Sequence, residues 1–300
     1  MNKIENLILI NYNEEQYLNL LEKLVNKTEK TGLKNNRTGI PTINSFGEQL
    51  VYDLTDMKIP LLTTKFVSFK SILHELYWMY LLGNPDMSYL KANNIKMWDH
   101  WAVYNTDHPN GTIGPMYGQI VRGKLKGEVD QLQQCIDTLK TNPNSRRAIF
   151  SAYNPNYQAL DNLSFEENIK AGRGVLSNCH SAYNQFFIDE NNELQLSTLM
   201  RSQDYYLGGP YNHVFYAVLT HLVAHILNIK ASKLIFNMND CHLYENTLTP
   251  AKEQLTRLPY NCPTISIDSS IKSLEDWKSI DQIQLHNYQH HAAIKAPVAI

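Results

Sequence analysis

The stretch AYNQFFIDENNELQLSTLMRSQDYYLGGPYNHVFYAVLTHLVAHILNIKASKLIFNM, Ala182 to Met238, decides the fold class. Ala182 to Asp189 and Leu194 to Met200 carry alternating, β-branched and aromatic residues that predict strands, and the polar run Asp189-Glu190-Asn191-Asn192-Glu193 predicts a hairpin turn between them. Tyr211 to Ile226 is apolar almost all round, which predicts a central, buried helix. Leu234 to Met238 returns to a strand pattern. Hairpin and helical crossover therefore occur in one segment, and the expectation is an α/β fold of the α+β type with mixed strand connections.

The remainder of the chain extends that reading. Glu14 to Glu29 places Tyr17, Leu18, Leu20, Leu21, Leu24 and Val25 on one helical face. Phe69 to Leu82 predicts a second helix, ended by Gly83-Asn84-Pro85, and Asp130 to Lys140 a third, stopped before Asn142-Pro143. Ala148 to Tyr153 and Thr264 to Ile267 read as further strands. No repeat or Pro/Ser-rich linker divides the 300 residues, and the polar stretch Asn156 to Gly174 reads as a surface excursion, so a single domain is expected.

Composition removes several classes of function. With 43% apolar residues the chain is not disordered, and 27 Lys+Arg against 29 Asp+Glu leave a net charge of -2, too little to draw the protein onto a bulk polyanion. The apolar run Leu7 to Ile10 is too short for a secretion signal, and Phe215 to Leu227 is broken by His221 and His225, so no bilayer span is expected. Four cysteines without a C-x-x-C pair predict free thiols in a reducing, cytoplasmic setting. Eighteen tyrosines suit half-buried surfaces and ligand pockets without naming a ligand.

Two arginine groups and one cysteine carry the candidate chemistry. Ser145-Arg146-Arg147 lies before a strand and Arg201-Ser202 after one, where guanidinium forks and a hydroxyl can hold a phosphate; structural ion pairs are the competing reading. Asn178-Cys179-His180 offers a thiol whose pKa cationic neighbours would lower, against the plainer reading of a buried structural cysteine. Metal chemistry is not expected. His74-Glu75 begins like H-E-x-x-H, but Trp78 fills the second ligand position, and His221 with His225 lacks a third ligand. Gly-rich nucleotide loops are likewise missing from the sequence.

The run Arg201-Ser202-Gln203-Asp204-Tyr205-Tyr206-Leu207-Gly208-Gly209-Pro210-Tyr211-Asn212, taken with Asn178-Cys179-His180 and Ser145-Arg146-Arg147, resembles the thymidylate synthase family. Asn36-Arg37-Thr38-Gly39, Thr63-Thr64-Lys65, His74-Glu75-Leu76, Trp98-Asp99-His100-Trp101, Gly114-Pro115-Met116-Tyr117-Gly118, Asp240-Cys241-His242-Leu243-Tyr244 and the terminal Lys295 to Ile300 follow in the family's order. The resemblance runs from residue 15 to residue 300 and leaves 1–14 as an N-terminal extension. It implies one domain with a central twisted mixed sheet flanked by helices, a sheet face forming the interface of a homodimer, and conversion of dUMP to dTMP with 5,10-methylenetetrahydrofolate.

By the same resemblance Cys179 attacks C6 of the pyrimidine, and Glu75, Tyr117 and His180 form a water and proton network around the ring. Arg37, Arg201 and Ser202, with Arg146 and Arg147 donated by the other subunit, hold the phosphate. Asp204 lies between substrate and folate, Asn212 reads the uracil edge, and His242 and Tyr244 bind the deoxyribose. Trp98, Trp101, Leu176, Leu207, Gly208, Tyr211 and Ala299 belong to the folate pocket, which Ala296 to Ile300 closes. Neither metal, membrane nor nucleic acid is implied. Four features depart from the family pattern: Met200 stands for Gln, Asn178 for Pro, and Phe66-Val67-Ser68 for a more basic segment, and the separation of Cys179 and Arg201 is slightly longer than usual. Met200 keeps a dUMP hydroxymethylase as the alternative, in which water replaces hydride at the last step. A non-catalytic, RNA-regulatory homologue is weighed against by the intact set of Cys179, Arg201, Asn212, His242 and Tyr244.

Overall fold

The computed structural model describes residues 11–299. Of segment 1–14, residues 1–10 lie outside the described residues, as does Ile300. In chain order the main elements are α1 (Tyr12–Lys27), β1 (Thr42–Asp53), α2 (Phe69–Leu76), α3 (Ser88–Ala92), α4 (Gly118–Val121), α5 (Gln131–Thr141) and β2 (Ile149–Phe150). They continue with α6 (Phe165–Lys170), β3 (Tyr183–Ile188), β4 (Glu193–Asp204), α7 (Gly208–Ile226), β5 (Lys230–Tyr244), α8 (Leu248–Leu255), β6 (Thr264–Ile267) and β7 (Ile283–His286).

Five strands form one mixed sheet in the order β1-β5-β4-β3-β2. The β3–β4 pair is the hairpin expected from its polar turn, whereas β4 and β5 run parallel and are joined by α7. A parallel pair needs such a crossover because a tight turn reverses the chain. Along α7 nearly every residue from His213 to Ile226 is buried, as the all-round apolar pattern predicts. One contiguous core joins α1, α2, α7 and the inner face of the sheet.

Where boundaries differ from the sequence reading, local chemistry explains the shift. β4 and β5 outrun the apolar alternation by several residues, to Asp204 and Tyr244, because they stay paired to each other through Asp204 and His242, and β5 stays paired to β1 through Tyr244. The predicted strand 148–153 is paired only over Ile149–Phe150; beyond it Gln131 takes both backbone groups of Ser151, at 2.9 and 3.1 Å. β1 and β7 lack a clean alternation and owe their pairing to β5 and β6.

The helix predicted over 69–82 is α-helical only to Leu76, then widens into a π-turn over Tyr77–Leu82 that ends at Gly83 with φ 57°. Such a turn inserts a residue into the ladder. It brings the Met79 carbonyl so close to Gly118 that a Cβ there would stand 1.6 Å from the oxygen, so only glycine fits. The polar excursion 156–174 is likewise better ordered than its composition suggests. It contains α6, opened by a Ser164–Glu167 capping box, and buried Asn168 fastens it through the Leu160, Leu163 and Ser164 carbonyls.

Candidate active site

The site forms where β4 and β5 end and α7 begins. Cys179 precedes β3, and its carbonyl accepts the Arg201 backbone N–H at 2.8 Å, which draws the cysteine to the end of β4. Arg201 Nε donates to the Asn178 carbonyl at 3.1 Å, and Nη2 reaches the Ser177 carbonyl at 3.2 Å and Cys179 Sγ at 3.6 Å. Burial pushes the thiol above its usual pKa, while Arg201 and Arg37 pull it back. Before ligand enters, the group is therefore a neutral thiol with cationic neighbours.

The turn that presents Cys179 is staked from below. Asn178 is buried, with its N–H on Gln158 Oε1 at 2.8 Å and its Nδ2 on the Ala152 carbonyl at 2.6 Å. A proline has no N–H to offer Gln158, so asparagine here replaces a rigid ring with two hydrogen bonds. Ser181 adopts the left-handed region (φ 61°), and its Oγ accepts from Tyr80 Oη at 2.8 Å and Asn184 Nδ2 at 2.6 Å. Tyr80, Ser181, Asn184 and Gln158 carry no motif of their own, and a sequence signal for their role was lacking.

Around the thiol lies a group of polar side chains with few partners. The Cys179 N–H donates to Tyr117 Oη at 3.0 Å, and the Tyr117 ring stacks on His180 at 4.1 Å and 13°. Tyr117 holds φ 34°, a strained value for a non-glycine residue, as expected where function fixes a side chain. His180 Nδ1 meets Tyr216 Oη at 2.7 Å, and burial drives the imidazole down to about 3, so it is neutral. Glu75, 7% exposed, accepts from Trp98 Nε1 at 2.8 Å. Burial raises its carboxyl to about 7, so both protonation states are populated near neutrality.

Asp204 closes β4 and caps the turn into α7: its Oδ1 accepts from the N–H groups of Tyr206 and Leu207, each at 3.1 Å. Burial raises its pKa against the pull of the Leu207 amide, His242, the Tyr206 amide and Lys65. Lys65 is buried, with Nζ on the Tyr206 carbonyl at 2.7 Å and 3.4 Å over the Tyr206 ring; burial lowers its pKa to about 7. On β5, level with Asp204, His242 meets Tyr244 edge to face at 5.1 Å. Trp101 lies 5.7 Å from Trp98, and half-buried Leu176, Leu207 and Tyr211 add apolar walls. Gly208 and Asn212 open α7.

The C-terminal segment bends over this region. Tyr288 Oη donates to the Leu62 carbonyl and accepts from the Val67 N–H, while the His291 N–H donates to the Thr63 carbonyl at 2.7 Å. Half-exposed Phe66 packs against His290, 4.9 Å between centroids. Ala299 is half-buried.

Arg37, Arg146 and Arg147 are exposed. The ion pairs among the described residues engage Lys23, Lys58, Arg122, His242 and Arg257, so the structural-pair reading of Arg146, Arg147 and Arg201 finds no support. Arg37 acts on the Cys179 thiol within one chain. Arg146 instead sits in the loop before β2, its carbonyl accepting from Gln185 Nε2 of β3 at 3.1 Å. All four cysteines are free; among the described residues no cluster of three His, Cys, Asp or Glu could hold a metal, and no helix is long and apolar enough to cross a membrane.

A cysteine thiol flanked by arginines, beside buried Glu75, half-buried Asp204 and a half-apolar wall, is an arrangement able to do covalent chemistry on an anionic small molecule. Comparison with known proteins gives that chemistry a family. The thymidylate synthase family model matches residues 15–300. Thymidylate synthase from Francisella tularensis subsp. holarctica is 39% identical over 285 residues, which span 95% of this chain and 99% of the relative. Thymidylate synthase from Francisella philomiragia subsp. philomiragia is 37% identical over the same share of both chains. The chain belongs to the thymidylate synthase family.

Proposed function

We propose that the protein methylates dUMP to dTMP, with 5,10-methylenetetrahydrofolate as donor of both carbon and hydride, through a covalent bond between Cys179 Sγ and C6 of the pyrimidine. The observation that carries this reading is the placement of Arg201 Nη2 3.6 Å from Cys179 Sγ, with no carboxylate partner for the guanidinium among the described residues. Attack at C6 turns C5 into a carbon nucleophile, which takes the one-carbon unit. Arg201, Ser202 and Arg37 bind the phosphate, His242 and Tyr244 the deoxyribose, and Asn212 the uracil edge, since a carboxamide accepts from N3–H and donates to O4 at once. Glu75, Tyr117 and His180 hold the water and the protons that move on and off the ring.

The apolar surfaces of buried Trp98 and half-buried Trp101, Leu176, Leu207 and Tyr211 suit a flat, partly polar folate ring, and the folate supplies the methylene group and the hydride when bound. Gly208 gives that ring close access to the backbone, and the tail including Ala299 excludes water during hydride transfer. Methylation is favoured over the water-quenched alternative because Met200, the residue that prompts that alternative, is wholly buried in the core beside Met238. Incubation with dUMP and methylenetetrahydrofolate separates the two. Dihydrofolate and dTMP are expected; tetrahydrofolate and hydroxymethyl-dUMP would overturn the reading.

The active unit we propose is a homodimer joined through the outer face of the sheet, with Arg146 and Arg147 completing the partner's phosphate site. Half-exposed Ile149, Tyr183 and Phe187, and the hollow between Gln185, Phe187, Gln195, Ser197 and Ile235, support burial of that face. Mixing inactive Cys179→Ala and Arg147→Ala chains should then regenerate one intact site per mixed dimer and recover part of the activity. A mixture as inactive as its components would refute arginine donation. We place the protein in the cytoplasm, where four free thiols remain reduced.

A further inference from the structure

Beneath the turn that carries Asp204 and Asn212 lie three polar side chains that the reaction scheme leaves unused. Gln203 and His213 are each 1% exposed, and Tyr52 is equally buried. Tyr52 Oη meets His213 Nδ1 at 2.9 Å, and His213 Nε2 has no hydrogen-bond partner among the described residues. Gln203 Nε2 donates to the Asp204 carbonyl at 3.1 Å, which identifies the nitrogen of that amide and leaves Oε1 as a buried acceptor without a partner among the described residues. Unpartnered buried polar atoms are costly, so two in one place require a reason.

Gly208 and Gly209 show what the groups surround. A Cβ on Gly208 would stand 3.7 Å from Gln203 Nε2 and 3.9 Å from Asn212 Nδ2. One on Gly209 would stand 3.4 Å from Gln203 Nε2 and 3.7 Å from His213 Cε1. The carboxamides of Gln203 and Asn212 thus flank the same glycine, with the His213 ring against its neighbour. An asparagine side chain is nearly symmetric in shape, so it can present either its oxygen or its nitrogen to N3 of a base. Uracil needs the oxygen there; cytosine, with an acceptor at N3 and a donor at C4, needs the nitrogen.

We propose that Gln203 is a positioning residue for base selection: when nucleotide is bound, its free Oε1 accepts directly from Asn212 Nδ2 and locks the carboxamide in the uracil-reading orientation. This rests on the proposed role of Asn212. With the second Nδ2 hydrogen committed to Gln203, turning the amide to suit cytosine would leave two buried acceptors facing one another, which penalises the wrong base.

The test is competition kinetics with dUMP and dCMP on full-length Gln203→Met, Gln203→Glu and Asn212→Asp, with thermal unfolding of each. Gln203→Met keeps the length but loses the acceptor. It should raise KM for dUMP about 10-fold and cut discrimination against dCMP about 10-fold, while kcat for dUMP stays within about 3-fold. Gln203→Glu, protonated when buried, restores an acceptor and should retain the preference. Unchanged selectivity in Gln203→Met, or an equal loss of kcat/KM for both nucleotides, would overturn the proposal as a merely structural effect. Asn212→Asp without any change in preference would sink the base-reading role itself, separately from Gln203. Should Gln203→Met fail to fold, a wild-type crystal structure with dUMP decides. Asn212 Nδ2 in direct hydrogen-bond contact with Gln203 Oε1 supports the proposal, and absence of that contact overturns it.

Discussion

Two buried glutamates, Glu14 and Glu75, face opposite fates in this molecule. Both are nearly sealed, at 2% and 7% exposure. Glu14, in the first turn of α1, accepts from the N–H and hydroxyl of Thr63, the N–H and hydroxyl of Thr64, and Asn11 Nδ2, at 2.5 to 3.1 Å. Glu75, on α2, has Trp98 Nε1 at 2.8 Å as its side-chain partner among the described residues. A carboxylate surrounded by donors is a fastener: it ties α1 to the loop that leads to Lys65. A carboxylate left with one donor retains open lone pairs and a pKa near 7, which costs stability and leaves it able to exchange a proton. Burial is common to both acids; the number of donors is what differs between them.

The sharpest division between a fastening region and a working one comes from the thiol. Cys179→Ala should lower turnover by more than about 10⁴-fold, since no other nucleophile is in place, while its unfolding midpoint stays near wild type. A stopped assay with an unchanged melt supports the division. Measurable turnover above about a hundredth of wild type would end the covalent reading.

Glu75→Gln comes next and acts in two directions. Turnover should fall about 10²- to 10³-fold, the usual worth of a positioned proton carrier, and the limb of the pH–rate profile near pH 7 should vanish. Stability should move the other way. Burial lifts the folded pKa of Glu75 from 4.5 to about 7, so the side chain is tolerated when protonated, and stability is lost as pH rises through that window. At pH 8 the glutamine variant should therefore be the more stable by about 3 kcal/mol, a gain that fades toward pH 4. Denaturant titrations at both pH values check it; equal gains at pH 4 and pH 8 would show that ionisation is not the cause.

Glu14→Gln should do the reverse of Glu75→Gln. The amide NH₂ would face donors from Thr63 or Thr64, leaving at least one buried N–H or hydroxyl unpaired at a cost of about 2–3 kcal/mol, with turnover little changed. If activity fell with no loss of stability, Glu14 would belong to the working region and the comparison would fail.

How much of this was legible beforehand follows from the range of each interaction. α7 and the hairpin were readable because their signal lies within one run of residues, and the motifs around Cys179 and Arg201 named two residues that the fold brings together. The ends of β4 and β5 were not, since Arg201 to Asp204 and Asp240 to Tyr244 break the apolar alternation with polar side chains. Glu14 was invisible because its partners lie 49 and 50 positions away and leave no local mark. The π-turn after Leu76 showed only its terminating Gly83. Gln203 passed unremarked between Ser202 and Asp204, since its role depends on a glycine and a histidine across a turn.

Tyr80→Phe gives the smallest and finest probe of where the boundary runs. Tyr80 Oη donates to Ser181 Oγ, but Asn184 Nδ2 also donates to that oxygen, so the serine keeps a partner when the phenol is gone. The loss should be about 1 kcal/mol, the net value of one neutral hydrogen bond. Tyr80 lies one hydrogen bond from the left-handed Ser181 and thus two residues from Cys179, near enough to hold the nucleophile's turn without touching substrate. If it is only a fastener, turnover and the KM for dUMP should both remain within about 2-fold of wild type while unfolding shifts. Turnover reduced about 10-fold or more at unchanged KM would instead show that the geometry of the thiol depends on this one donor, and would move the edge of the working region outward to the π-turn that carries it.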